Sequence, residues 1–402
     1  KGGYGSVYKA CCKSSNEEVA IKRVNNSRDM YRELTALQTA QTHENIIKLV
    51  DYFKDEELNR VFIVLEYAHK DMSTLLKELN KGMTEGQARG YMQQLLRGLI
   101  HLHDLGIIHR DIKPSNLLVC VGADGKVDGL KISDFGVAMY KRNADDPHET
   151  LKYLQEGTLL YQPPELLFGQ KEPINMHHVD LWASGCVFVE LLTRQHIFAG
   201  DDPDNTPTGQ IHMLASIASI LGPQNETTWP GVEGLPNYLN LNKVGKGLRV
   251  VLEKTLSPSD GCFELLSRML APNPSNRISP AQALAHPFFA MVPETLIFLR
   301  SSPKRAHCQT SLALGSPGGG PSLLGLAPAG SLSSSLGVVC QMGLGAPFLA
   351  SLPPLDVDMG TSPVASPSPL GEGPPDSSKK RKDSSTPEGT GVNQSIKRKL
   401  SF

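Results

Sequence analysis

His109-Arg110-Asp111-Ile112-Lys113-Pro114-Ser115-Asn116, followed further along by Asp134-Phe135-Gly136, is the stretch that decides the fold of this 402-residue chain. Two carboxylates, Asp111 and Asp134, accompany the lysine Lys113 and the carboxamide Asn116. A short motif such as HxD or DxG recurs by chance in many chains. The long block together with the later DFG is far more specific, so these side chains are expected to meet in one cleft.

The two motifs resemble the catalytic loop and the metal-binding loop of eukaryotic protein kinases. The resemblance implies an enzyme that uses ATP and Mg²⁺ to phosphorylate protein substrates. Asp111 is expected to accept or orient the hydroxyl proton, and Lys113 to neutralise charge on the moving phosphoryl group. Asn116 and Asp134 are expected to bind Mg²⁺, which takes few protein ligands beside phosphate oxygens.

The same resemblance implies the fold class and the domain limits. An α+β kinase domain of two lobes is expected over residues 1–290, with a small β-rich N-lobe at about 1–67 and a large helical C-lobe at about 71–290. Gly2-Gly3-Tyr4-Gly5-Ser6-Val7 matches the second half of a glycine-rich loop that covers ATP phosphates. The first glycine of that loop would precede Lys1, so the N-lobe is expected to be truncated at its start, with an incomplete first strand.

The remaining ATP-binding residues are implied along the N-lobe and the hinge. Val19-Ala20-Ile21-Lys22 alternates as a half-buried strand does, with Lys22 placed to hold the α- and β-phosphates. Glu33 is expected to be the ion-pair partner of Lys22. A buried strand is predicted over 61–65, with Leu65 at the back of the adenine pocket. Backbone groups of Glu66-Tyr67-Ala68 would meet adenine, and Asp71 would reach the ribose.

Apolar residues at helical spacing predict helices over 88–103, 180–193 and 263–270. Asp180 is expected to cap the second of these helices. By resemblance, Asp180 is also expected to hold the backbone of the catalytic loop, and Glu165 is expected to form a buried ion pair with Arg277.

The serine/threonine class is indicated by Lys113 together with Thr158, which shortly precedes Pro164-Glu165. A later series is similar to the insert of the cyclin-dependent kinases, in the wider group with mitogen-activated and glycogen-synthase kinases. It consists of Leu221-Gly222-Pro223, Trp229-Pro230-Gly231-Val232 and Leu235-Pro236-Asn237-Tyr238. The resemblance extends from Lys1 to about Phe289.

Two departures from that group concern a partner and the target sequence. Of the cyclin-contacting PSTAIRE-like helix only Arg32-Glu33 is kept, and the interval from Lys22 to Glu33 is a short 11 residues. A cyclin or another activating subunit is therefore an open candidate partner. Gln162 replaces an arginine that helps to shape the pocket for proline after the target residue, which leaves proline-directed specificity open as well.

The activation segment also differs from the group. Of three arginines that gather around an activating phosphothreonine, Arg32 and Arg110 match, whereas Met139 stands at the third position. Tyr153 matches the threonine itself, and Thr150 lies nearby. Candidate phosphorylation sites are Thr150, Tyr153 and Thr158. Phosphorylation of the activation segment is expected to be possible but not obligatory for activity.

Composition excludes several other classes. The seven cysteines are scattered and include no CxxC pair, which disfavours a disulfide framework or a zinc site and favours a reducing compartment. A net charge of −1 gives no general case for nucleic-acid binding. No signal peptide or long apolar run is visible, so no membrane association is expected.

From residue 291 to 402 the sequence becomes rich in Ser, Pro and Gly, and this tail is predicted to be disordered. Lys379-Lys380-Arg381-Lys382 and Lys397-Arg398-Lys399 resemble a bipartite nuclear localisation signal. The alternative is a charge run that merely keeps the tail soluble. The nucleus is thus favoured as the location, with the cytoplasm left open.

Three functional interpretations remain at this stage. The first is an active serine/threonine kinase, either cyclin-dependent-kinase-like or a cyclin-independent member of the same group. The second is a pseudokinase scaffold, for which a truncated glycine loop would be the reason. The third is an adaptor that acts mainly through its tail. Since Lys22, Asp111 and Asp134 are all present, the active kinase is preferred.

Overall fold

Alternating apolar side chains form a four-stranded antiparallel sheet in this computed structural model, with the strand order β1-β2-β4-β3. The structure describes residues 6–13, 15–121, 127–140, 156–170, 177–199, 205–241, 245–253 and 258–290. The strands are β1 (Ser6–Cys11), β2 (Glu18–Asn25), β3 (Leu49–Asp55) and β4 (Arg60–Glu66). The predicted segments 19–22 and 61–65 are therefore confirmed as the centres of β2 and β4.

Helix α1 (Arg28–Ala40) packs on one face of this sheet. Ser27 caps its start by accepting a hydrogen bond from the backbone N–H of Met30. Leu34 and Leu37 are buried, and they belong to the same apolar cluster as Ile63 of β4. Because α1 follows β2 almost directly, its second turn carries Glu33 to the inner side of the sheet.

The C-lobe is mainly helical, which confirms the two-lobed α+β architecture. Among the described residues, its helices are α2 (Met72–Glu78), α3 (Glu85–Asp104), α4 (Pro164–Leu167), α5 (His177–Thr193), α6 (Pro207–Leu221), α7 (Leu248–Leu252), α8 (Asp260–Met269) and α9 (Pro280–Leu284). The three predicted helices are present as α3, α5 and α8, each extended by a few residues at its start.

Helix α5 lies at the centre of the C-lobe because its sequence is apolar on all sides. Almost every residue from His178 to Leu192 is buried, and the ring of Trp182 stacks on that of Phe198 at a centroid distance of 5.3 Å. The expectation that Asp180 caps this helix is wrong. The helix begins at His177, so Asp180 lies inside the first turn, where its carboxylate is free to bind another segment.

Five short strands position the loops of the cleft. They are β5 (Lys70–Asp71), β6 (Ile107–Ile108), β7 (Leu117–Val121), β8 (Val127–Ile132) and β9 (Met139–Tyr140). Strands β5, β7 and β8 form one sheet, whereas β6 pairs with β9. Residues 109–116 therefore span from β6 to β7, and Asp134 stands just after β8. This topology brings the two sequence motifs to the same edge of the C-lobe.

A buried ion pair braces the C-lobe, as expected. Both terminal nitrogens of the Arg277 guanidinium, Nη1 and Nη2, donate to the carboxylate of Glu165, at 2.6 Å and 2.8 Å, and both side chains are inaccessible to solvent. Arg277 also donates to the carbonyl of His178 at 2.8 Å. The pair thus joins α4, α5 and the segment before α9.

Several predictions concern residues outside the described ranges: the glycine-loop residues Gly2, Gly3, Tyr4 and Gly5, the candidate phosphorylation sites Thr150 and Tyr153, and the tail over 291–402 with its basic clusters. Within the described ranges, no helix combines the length and the apolarity that crossing a bilayer requires.

Candidate active site

Asp180 of α5 holds the backbone of the catalytic-loop motif. Its carboxylate accepts hydrogen bonds from the backbone N–H of His109 at 2.9 Å and of Arg110 at 2.7 Å, as the family resemblance implied. The imidazole Nε2 of His103 lies 2.8 Å from the same carboxylate. Burial raises the pKa of Asp180, but the hydrogen bonds and charges of the two histidines outweigh it, and the pKa lies below its usual value. Asp180 is therefore a charged anchor for the loop.

Asp111 sits at the centre of a compact polar cluster. Its Oδ2 lies 2.7 Å from Lys113 Nζ and accepts from Asn116 Nδ2 at 3.0 Å. Its Oδ1 accepts from the hydroxyl of Thr158 at 2.7 Å, and that hydroxyl also lies 2.7 Å from Lys113 Nζ. The cleft thus already holds one protein hydroxyl between a carboxylate and an ammonium group.

Lys22 connects the two lobes. Its Nζ lies 2.5 Å from Glu33 Oε1 on α1 and 2.8 Å from Asp134 Oδ1 at the end of β8. Burial lowers the pKa of Lys22, but the charges of the two carboxylates outweigh it and hold that pKa above its ordinary value. The predicted partner Glu33 is confirmed, and Lys22 is a charged group in the cleft.

The two carboxylates around Lys22 differ in their surroundings. Burial raises the pKa of Glu33, and Lys22 only partly counters that effect. For Asp134, which is less enclosed, the charge and hydrogen bond of Lys22 outweigh burial, so its pKa is lowered. Asp134 is also the more exposed of the two carboxylates, at 29% against 5% for Glu33.

Asn116 and Asp134 fit the expected divalent-cation site. Both N–H bonds of the Asn116 carboxamide point at Asp111, towards its backbone carbonyl at 2.8 Å and its side-chain Oδ2 at 3.0 Å. Its Oδ1 has no protein donor within the described part of the chain. One carboxylate and one carboxamide oxygen suit Mg²⁺, which keeps several of its waters.

The predicted walls of the adenine pocket come together at the start of the hinge. Ala20 and Leu65 are partner positions in the pairing of β2 with β4, and both are half-buried. The side chain of Glu66 accepts from the backbone N–H of Lys48 at 2.7 Å and lies 3.0 Å from Lys131 Nζ. Its side chain thus anchors the hinge, while Ala68 lies half-buried between β4 and β5.

Two residues predicted to contact the nucleotide, Asp71 and Val7, have structural roles that the sequence did not indicate. Asp71 caps α2, accepting from the backbone N–H of Thr74 at 2.8 Å and from its hydroxyl at 2.7 Å. Val7 on β1 is 63% exposed, and it pairs with Lys22 across the first two strands. Val7 therefore lies beside Lys22, on the edge strand of the sheet.

The sequence missed three contacts of the segment before α4. The hydroxyl of Thr158 binds Asp111 and Lys113. Phosphorylation of Thr158 stays a prediction. Glu156 lies 3.2 Å from the guanidinium of Arg110. Gln162 Nε2 donates to the carbonyls of Glu156 at 3.0 Å and of Gly157 at 3.3 Å. The only local signal of this segment is the Pro-Pro-Glu sequence that follows it. The contacts themselves could not be predicted, because the residues that Glu156 and Thr158 bind lie far away in sequence.

Comparison with known proteins agrees with this geometry. Residues 1–289 match the family model described as protein kinase domain. The chain is 35% identical over 300 residues to cyclin-dependent kinase 7 of Dictyostelium discoideum, a match that covers 72% of this chain and 77% of the relative.

Two further relatives have similar names. Cyclin-dependent kinase 20 of Danio rerio is 33% identical over 299 residues, which is 72% of this chain and 80% of that protein. Cyclin-dependent kinase D-1 of Arabidopsis thaliana is 33% identical over 301 residues, which is 73% of this chain and 70% of that protein. The fold, the cleft and these matches together show that the chain belongs to the protein kinase family, as a serine/threonine kinase similar to the cyclin-dependent kinases.

Proposed function

We propose that the cleft transfers the γ-phosphoryl group of Mg·ATP to serine or threonine hydroxyls of protein substrates. The observation that carries the proposal is the Thr158 hydroxyl, bound between Asp111 Oδ1 and Lys113 Nζ at 2.7 Å from each. A general base must lie about 2.6–3.2 Å from the hydroxyl that it serves. The cleft already satisfies this distance with a hydroxyl of the same chemical class as the target.

Each residue of the cleft then has a role in the transfer. Asp111 orients the target hydroxyl and receives its proton, and Lys113 neutralises negative charge as it develops on the transferred group. Lys22, held by Glu33, binds the α- and β-phosphates. Mg·ATP, when bound, supplies the activated phosphoryl group and charge neutralisation of its phosphates. Asn116 Oδ1 and the carboxylate of Asp134 are the protein oxygens that would hold Mg²⁺.

Phosphoryl transfer to a protein substrate tests the proposal directly. Asp111→Asn keeps the shape of the side chain and removes its basicity, so phosphate incorporation is expected to fall by about 10²–10⁴-fold. Asp104→Asn, the same change at an exposed aspartate at the end of α3, is the matched control and should be silent. Equal incorporation by the Asp111→Asn protein and the unaltered protein would contradict the mechanism.

The same assay separates the two forms of the proposed kinase. The relatives bear the name cyclin-dependent kinase, and α1 here keeps only Arg32-Glu33 of the cyclin-contacting motif. Transfer by the chain alone would support the cyclin-independent alternative. Transfer only after addition of a cyclin would support the cyclin-dependent one. A chain that binds ATP but never transfers phosphate would favour the pseudokinase scaffold.

We further propose that the enzyme prefers proline directly after the target residue. Gln162 would then shape the pocket for that proline, as an arginine does at this position in the cyclin-dependent kinase group. The residue after the target should lie beside Gly157, because Gly157 directly precedes Thr158, whose hydroxyl binds Asp111. Gly157 has the left-handed φ of +99°, and its carbonyl already accepts from Gln162 Nε2. An N–H of the substrate would find this acceptor engaged, whereas proline has no N–H to satisfy.

Paired peptides test this preference. A peptide with proline after the target serine is expected to exceed its alanine counterpart in kcat/KM by about tenfold, the factor that one unsatisfied buried N–H would produce. Gln162→Leu should reduce the ratio between the two peptides, since it frees the carbonyl of Gly157. Equal rates with the two peptides in the unaltered enzyme would overturn the proposal.

A further inference from the structure

Arg110 carries a buried positive charge that needs a partner. Its side chain is 3% exposed, and a guanidinium group stays protonated at any ordinary pH. Nη2 lies 3.2 Å from Glu156 Oε2 in the segment before α4, and Nη1 lies 3.9 Å from the sulfur of Met139. Glu156 is 18% exposed. Within the described ranges, the guanidinium thus contacts a carboxylate through Nη2 and a thioether through Nη1.

Glu156 is directly linked to the catalytic cluster. The next residue, Gly157, packs so closely on the catalytic loop that a Cβ there would lie 2.9 Å from the carbonyl oxygen of Arg110. The residue after that, Thr158, binds Asp111 through its backbone N–H at 3.1 Å and its hydroxyl at 2.7 Å. Two adjacent residues of the catalytic loop therefore bind two nearby residues of the activation segment.

Arginines around this contact already pair with carboxylates of described residues. Of the two arginines that match the phosphate-binding set, Arg110 pairs with Glu156 at 3.2 Å and Arg32 with Asp29 at 3.6 Å. Met139 adds no charge at the third position. A phosphate group would bring about −1.5 to −2 charges to this place, where each of the two arginines already contacts a carboxylate of the described chain.

We infer that Glu156 is a positioning residue, whose carboxylate holds residues 156–158 against Arg110-Asp111 in place of an activating phosphate. The inference rests on the proposed kinase function and adds which contact keeps the activation segment aligned with the catalytic loop. The enzyme then needs no phosphorylation at Thr150 or Tyr153 to align Thr158 with Asp111. Gln162 reinforces the arrangement by donating to the carbonyl of Glu156.

The test uses the full chain after phosphatase treatment, with peptide and ATP kinetics measured separately. The unaltered protein and the Thr150→Ala, Tyr153→Phe double variant are expected to keep their activity after treatment. Glu156→Gln is expected to lower kcat/KM for the peptide by about 10–100-fold, while KM for ATP stays within about twofold, because Lys22 and the hinge are untouched. Glu156→Asp, which restores the charge on a shorter side chain, should recover part of the loss.

A matched control and a folding check complete the design. Glu253→Gln removes the carboxylate of an exposed glutamate–arginine pair, with Arg249 at 3.7 Å, and should change no kinetic constant. ATP binding by Glu156→Gln shows that it is folded, and Glu156→Asp replaces it if it is not. Loss of activity on phosphatase treatment, or full peptide kinetics in Glu156→Gln, would overturn the inference. Absence of transfer in every state of the unaltered protein would instead refute the proposed function.

Discussion

At the scale of single residues, the cleft contains two residues in the left-handed region of φ, which residues other than glycine rarely adopt. Arg110 and Asp134 have φ values of 69° and 65°, each of which costs about 1–3 kcal/mol unless the surroundings enforce it. The backbone N–H of Arg110 is held by buried Asp180, and the carboxylate of Asp134 is held by Lys22. The strain is therefore located at the two motifs that carry the chemistry.

A buried histidine gives the fold a pH dependence of its own. Burial, followed by the positive charge of Arg277 and weaker effects of His177 and His103, lowers the pKa of His178 to about 4. In the unfolded chain its pKa is about 6.5. Between these two values the unfolded state binds a proton that the folded state does not, so stability falls as pH drops from about 6.5 to about 4.

Replacing that histidine should flatten this dependence. His178→Gln is expected to narrow the difference in Tm between pH 7 and pH 5, because up to about 1.4 kcal/mol per pH unit is linked to one such proton. Thermal unfolding across this range, with His69→Gln as an exposed control just after the hinge, measures the effect. An unchanged pH profile in His178→Gln would show that other groups cause the acid sensitivity.

At the scale of elements, the loop between α2 and α3 fits tightly against the end of α5. The backbone N–H of Met83 donates to the carbonyl of Leu191 at 2.8 Å. A Cβ added to Gly82 would lie 1.7 Å from the carbonyl oxygen of Leu192, which is backbone and cannot rotate away. The absence of a side chain at Gly82 is what permits this approach.

Adding one methyl group at that position should therefore loosen the C-lobe. Gly82→Ala is expected to reduce the free energy of unfolding by about 1–3 kcal/mol, the usual cost of overpacking. Gly261→Ala on α8, where no atom lies within 4 Å of the added Cβ, should instead be neutral or stabilise by up to about 1 kcal/mol through helix propensity. Urea unfolding of both variants checks the contrast, and equal losses would disprove the packing argument.

At the scale of the whole molecule, the lobes meet through residues that are distant in sequence. Lys22 of the N-lobe contacts Asp134, which lies 112 positions later, and also Glu33 on α1. In the C-lobe, Glu165 and Arg277 join segments that are likewise 112 positions apart. Removing one member of such a buried pair leaves an uncompensated charge, so these contacts fix how the segments fit together.

Much of this arrangement was predictable from local patterns. Alternation located β2 and β4, helical spacing located α3, α5 and α8, and the kinase motifs identified Asp111, Asn116 and Asp134. The N-cap assigned to Asp180 failed because the start of α5 depends on residues that precede the apolar run. The pairing of Glu156 with Arg110 could not be predicted, since no pattern in either segment specifies it.

The sequence by itself determined the family, the chemistry and the positions of the main elements, because those depend on motif identity and on apolar periodicity. Only the tertiary structure decided which charges meet. It placed a threonine hydroxyl on Asp111, a glutamate on Arg110 and a glutamine on two carbonyl groups of the activation segment. The physical reason is distance: a buried charge must be balanced by whatever the fold brings within a few ångströms, and folding selects that partner without regard to separation along the chain.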